Sequence, residues 1–188
     1  MTDQTTLPET HSDLGRQRRL SRPVLEATII LAVFALVGAG GGWFWEHRWT
    51  PPTGVAYQGK WIPIGTGPER IFDGTGSFVV IAAIAGLVLG LICAFLFTSS
   101  EVGTVVAIVV GAALAAWLMH TVGLHLAPPD PAVRAKDAAD LAKIGGTLQT
   151  YGDSYRVVFP GAAMLGATLV YLCFPARRRD EAANPPAS

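Results

Sequence analysis

Residues 38–49 read GAGGGWFWEHRW, with glycine at four of the first five positions and tryptophan at three of the next seven. A glycine-rich turn that cradles phosphate needs a strand before it and a helix with a lysine after it. Neither is present around Gly38. What precedes it is VLEATIILAVFALVGAGGGWFW, residues 24–45, apolar around its whole circumference. Such a helix belongs in lipid or in a very large core. The glycines then lie in the last turns of a membrane-crossing helix, and the tryptophans mark its exit. Trp43, Trp45 and Trp49 are expected at headgroup depth as an aromatic belt. Glu46, His47 and Arg48 follow as the step into water.

Three further runs support this reading: residues 77–97, 102–126 and 157–174. Each approaches or exceeds the roughly 20 residues that a crossing helix needs. The chain has 188 residues, of which 51% are hydrophobic and only 15% charged. A chain of this size cannot bury four all-apolar helices in a core of its own. The fold expected is an all-α membrane protein of four transmembrane helices, a four-helix bundle with a small α+β elaboration from its two long loops. A cleaved secretory leader is the alternative for the first run, because Arg16, Arg18, Arg19 and Arg22 precede it. The apolar run continues past the small residues to Trp45, however, and exceeds the usual leader core.

The expected organisation is a disordered cytoplasmic tail at 1–22, a membrane domain at 23–176 and a second disordered tail at 177–188. Arginines flank the first span, and Arg177, Arg178 and Arg179 follow the last. Basic residues next to spans mark the cytoplasmic side. Both termini are therefore expected in the cytoplasm of a multi-pass plasma-membrane protein, with the loops 46–76 and 127–156 outside. Zero formal net charge leaves no basic field for nucleic acid.

Local signals fill in the connections. Thr98 and Glu101 match a capping box for the third span, and Asp73–Gly74 is expected to cap the second. Gln58–Gly59 is the expected turn between short strands around Val55–Tyr57 and Trp61–Ile64. Gly65–Arg70 is a turn-rich loop. Asp130–Pro131 is a helix start, with a helix expected to run to about Ile144 and charge pairs Arg134–Asp137, Lys136–Asp140 and Asp140–Lys143. Residues 147–151 are expected to add a short strand.

Chemistry is sparse. His120 and His125 are five apart, which turns their rings about 140° from each other on a helix. A helix-borne metal pair wants i, i+4. A polar cluster of His47, His120, His125 and Asp130 at the outer end would need the helix to break at Gly123. No cofactor is expected. Cys93 and Cys173 read as small apolar packing residues, with a redox pair as the alternative. Pro160–Gly161 is expected to kink the last span.

Close packing is the stronger signal. Gly38 and Gly42, Gly86 and Gly90, the series Ala107, Gly111 and Ala115, and the pair Ala162 and Gly166 place small residues every fourth position. That spacing lets helix backbones approach in lipid, either within one subunit or in a dimer.

The order DGTGSFVVIAAIAGLVLGL, GAALAAWLMHTVGLHLAPPDP, GGT and VVFPGAAMLGATLVY, with landmarks Asp73, Gly74, Phe78, Trp117, Gly123 and Pro128–Pro131, resembles an actinobacterial family of four-span membrane proteins, domain of unknown function 2567. The resemblance covers residues 30–174 and implies a membrane protein of a high-GC Gram-positive cell envelope, without an activity. The expected function is a non-enzymatic interaction or accessory protein of that envelope. Its partners are the lipid bilayer and a membrane protein or second copy. A small transporter or channel subunit is the alternative. An enzyme ranks third and would need a polar cleft at the outer interface gathering His47, His120, His125, Asp130 or Asp153.

Overall fold

The computed structural model describes the backbone of residues 10–64, 68–97, 100–148, 150 and 154–174, and side chains within 22–64, 73–97, 100–148, 150 and 155–174. Element order is α1 (Thr10–Arg48), β1 (Thr53–Tyr57), β2 (Lys60–Pro63), α2 (Pro68–Leu96), α3 (Glu101–Leu126), α4 (Pro131–Lys136), β3 (Lys143–Gly145), a 3-10 turn (Ser154–Val157) and α5 (Val158–Cys173). Four helices, α1, α2, α3 and α5, are long and apolar enough to cross a membrane. A small three-stranded sheet stands at one end of them.

Several boundaries differ from expectation. α1 starts at Thr10, inside the stretch expected to be disordered. Leu14, Arg16, Gln17, Arg18, Arg19 and Leu20 favour helix there, and α1 runs on through Pro23 into the apolar run. α2 starts at Pro68, so Asp73 and Gly74 lie inside it and cap nothing. Proline suits a first helical position because it lacks an N–H that would go unpaired there anyway. Residues 65–67 of the expected loop, and Thr98 of the expected capping box, lie outside the described residues. The α3 cap is Ser100, whose side chain accepts from the Gly103 N–H. Pro160 falls in the first turn of α5, where it removes no helical hydrogen bond, and the expected kink has no cause.

The helices pack as two parallel pairs. In α1 against α3, a Cβ built on Gly38 meets the Ala115 carbonyl oxygen at 2.5 Å, and one on Gly42 meets the Met119 carbonyl oxygen. A Cβ built on Gly111 would meet the Phe34 ring at 3.1 Å. The partners advance together by four residues, so the two helices run the same way. In α2 against α5, Gly86 faces the Phe159 carbonyl, Gly90 faces Ala163, and Gly166 faces Leu87 and Leu91. That pair is parallel too. Chain neighbours α1 and α2, or α2 and α3, touch much less. Small residues every fourth position give backbone-to-backbone contact over a long seam, and this outweighs adjacency in the chain. Phe34 and Phe159, both fully buried, join the pairs with ring centroids 6.1 Å apart. Cys93 is buried in this core and Cys173 is exposed near the end of α5, both as free thiols.

The sheet has order β2–β1–β3, antiparallel throughout. Its hairpin turns at Gln58 (φ 49°) and Gly59 (φ 69°), the doubly left-handed turn that matches strand twist. The helix expected over 131–144 stops at Lys136, and Ile144 lies in β3. Ile144 is buried with Ala56 and Ala135, and Trp61 packs on them. Asp140 is not paired along a helix. Its Oδ1 accepts from the Gln58 N–H at 2.9 Å. Satisfying a turn and filling a core outweigh a weak local helix preference. Residues 147, 148 and 150 of the strand expected at 147–151 belong to no strand, and 149 and 151 lie outside the described residues; the third strand is β3. Leu148 instead enters the bundle core, and the Thr147 hydroxyl donates to the Pro128 carbonyl at 2.7 Å.

Candidate functional site

At the sheet end of the bundle, one aromatic assembly ties α1, α2 and α3 to the 3-10 turn that leads into α5. Trp45 of α1 is fully buried and meets Phe78 of α2 edge-on at 5.0 Å. Phe78 meets Tyr155 of the 3-10 turn edge-on at 5.2 Å. Tyr155 stacks on His120 of α3 at 5.1 Å, 22° from parallel. These contacts have the edge-to-face and offset geometries that ring quadrupoles favour.

The Trp45 indole N–H donates to the Gly74 carbonyl at 2.8 Å and to Ser77 Oγ at 3.1 Å. Trp45 is therefore a core side chain, against its expected place in a lipid-facing belt. The reason is Gly123: a Cβ there would collide with the Trp45 ring, so only glycine on α3 admits it. Trp49 is half-buried against the same core, which corrects its belt assignment in part. Trp43 is exposed, with its ring stacked on His47 at 5.5 Å.

The expected polar cluster does not assemble. His47 and His125 are exposed, and His47 is occupied with Trp43. Asp130 caps α4 by accepting from the Ala132 N–H at 2.8 Å. Asp153 lies outside the described residues. Only His120 enters a polar arrangement. Its Nε2 lies 3.0 Å from Tyr155 Oη and 3.1 Å from Thr150 Oγ1. Arg156 Nε donates to Tyr155 Oη at 3.3 Å, and its guanidinium sits over the Tyr155 ring at 5.7 Å. Tyr155 Oη accepts that N–H, and the roles of His120 Nε2 toward Tyr155 and Thr150 follow from the imidazole tautomer. Among the described residues no group of three or more His, Cys, Asp or Glu side chains could hold a metal ion.

His120 and Arg156 open onto a cleft of about 340 Å³, lined also by Ala113, Ala116 and Trp117. The lining positions on α3 are spaced 113, 116, 117 and 120, one face of a helix. One end of the cleft is cationic and hydrogen-bonding and the other is apolar. No carboxylate is among its described lining residues. Such a cleft can hold an anionic group joined to a hydrocarbon chain.

The helix-packing residues Gly38, Gly42, Gly86, Gly90, Gly111, Ala115 and Gly166 all stand in the two seams; spacing alone marks them as packing positions without naming their partners. Tyr155, Arg156 and Thr150 were missed. His120 was legible in the sequence as a polar residue near the end of α3, and Trp117 only as a landmark of the resemblance. The rest comes from a turn whose approach only the fold reveals.

No protein-family model, no curated protein and no solved structure matches this chain, so its function has to be read from its geometry.

Proposed function

We propose that this chain is a multi-pass membrane protein of the cell envelope, with both termini cytoplasmic, that acts without catalysis by engaging a partner protein at its extracytoplasmic sheet. Four apolar helices and the arginines flanking the first and last spans support the topology. The resemblance of its spans to an actinobacterial four-span family supports the envelope setting.

One observation carries the interaction reading. Strand alternation puts Gly54, Ala56, Trp61 and Ile144 on the sheet face that packs on α4. The opposite face presents Val55, Tyr57 and Ile62 beside Lys60 and Lys143. Tyr57 and Ile62 are 47% and 43% exposed. The outer face of a half-buried antiparallel sheet is ordinarily polar. An apolar strip there marks a contact surface. The two lysines select a partner surface that combines apolar with acidic side chains. A second copy through the glycine seams is the weaker option, because both seams are filled within one chain. The transporter reading loses its main motive with the Pro160 kink.

A photoreactive residue at Ile62, in full-length protein expressed in its native cells, should capture one defined protein. The same residue at Val88, on the exposed flank of α2, should not. Lys60→Glu with Lys143→Glu should abolish capture. Recovery of an uncrosslinked monomer, or capture indifferent to the charge reversal, refutes the reading.

A further inference from the structure

The geometry points to a binding site for one anionic glycerophospholipid, with its phosphate against Arg156 and His120 and an acyl chain along Ala113, Ala116 and Trp117. Depth is the first support. His120 lies 19 residues along α3 from Glu101, a rise of about 28 Å, close to the thickness of a hydrocarbon core. The cationic end of the cleft therefore falls at a phosphate plane, and its apolar end points toward acyl chains. Trp117, 62% exposed, sits one turn deeper, where indoles border the headgroups.

Charge and pre-organisation are the second support. Arg156 is held by its own Nε–H to Tyr155 Oη and by the face of that ring. Tyr155 is in turn 4% exposed and locked between Phe78 and His120. A guanidinium fixed this way loses little freedom on binding, and its planar fork suits phosphate oxygens. No carboxylate is among the described lining residues of the cleft. A free phosphate would leave the apolar floor unused, so the lipid is the occupant that fits both ends.

This site rests on the membrane-spanning reading above, and the two fail differently. A chain released from membranes by alkaline carbonate refutes the spans. A chain that stays embedded but shows no lipid preference refutes only this site.

The test is native mass spectrometry on the delipidated full-length protein in detergent. The probes are equimolar phosphatidylglycerol and phosphatidylcholine with identical acyl chains, with inorganic phosphate as competitor. One phosphatidylglycerol adduct is expected, with Arg156→Gln weakening it about tenfold, the size of one charge-assisted hydrogen bond. Ala113→Phe, at an exposed position, should block the chain-binding end while leaving the charge in place. Arg48→Gln, on α1 and outside the cleft, should bind as wild type. Equal binding of the two lipids, undiminished binding by Arg156→Gln or Ala113→Phe, or displacement of the lipid by equimolar phosphate each overturns the proposal.

Discussion

Gly90→Ala tests the seam that holds α2 to α5. A Cβ at position 90 would overlap the Ala163 carbonyl oxygen and come within 2.8 Å of both its carbonyl carbon and its Cα. All three are backbone atoms, so no rotamer change relieves the clash. Restoring ordinary contact to the two carbons alone requires the helices to part by about 0.6 Å, and a gap of that size forfeits roughly a quarter of the dispersion energy between facing atoms. Gly86 and Gly166 share the seam, so the loss spreads along it. Overpacking of this kind costs about 1–3 kcal/mol. The change also recovers about 0.8 kcal/mol of helix propensity. The expected net effect is a destabilisation of about 0.2–2 kcal/mol. Gly40 supplies the control, since a Cβ there meets nothing within 4 Å. Gly40→Ala should be neutral or slightly stabilising. Reversible unfolding in mixed micelles with increasing dodecyl sulfate, followed by tryptophan fluorescence, measures both. Equal midpoints for Gly90→Ala and Gly40→Ala would refute the backbone-contact account of the bundle.

Two further outcomes follow from the aromatic assembly and the hairpin. Trp45→Phe removes the buried indole donor to Gly74 and should cost about 1.5 kcal/mol in the same titration, whereas exposed Trp43→Phe should stay within about 0.5 kcal/mol. Equal effects would return Trp45 to the lipid-facing belt. Gln58→Asn relieves a left-handed backbone in a turn that favours Asn-Gly, and should stabilise the hairpin by about 0.5–1 kcal/mol. Slower amide exchange at Ala56 would report it, and unchanged or faster exchange would contradict the turn assignment.

Much of this protein is legible one residue at a time. The four apolar runs, the hairpin turn at Gln58–Gly59 and the helix start at Asp130–Pro131 rest on local rules of hydropathy, turn conformation and capping. The small residues at every fourth position were legible as packing faces for the same reason, because their use depends on spacing along a single helix. Their partners were not legible. Nothing in GLVLG says that Gly90 meets Ala163 rather than a residue of α3, because the choice depends on which long seam closes most tightly.

The same division runs through the stretch at residues 38–49. Sequence alone identified the end of a long apolar helix and excluded a phosphate loop. It could not divide the three tryptophans. Trp43 faces outward, Trp49 is half-covered and Trp45 is sealed in the core. Only the approach of Gly123 on α3 makes room for that last ring. The cleft beside His120 depends likewise on a 3-10 turn brought over from 35 residues away in the chain. Hydropathy and capping are properties of neighbouring residues, and they determined where the helices lie. Contacts between distant backbones decided which helices pair and which polar groups meet.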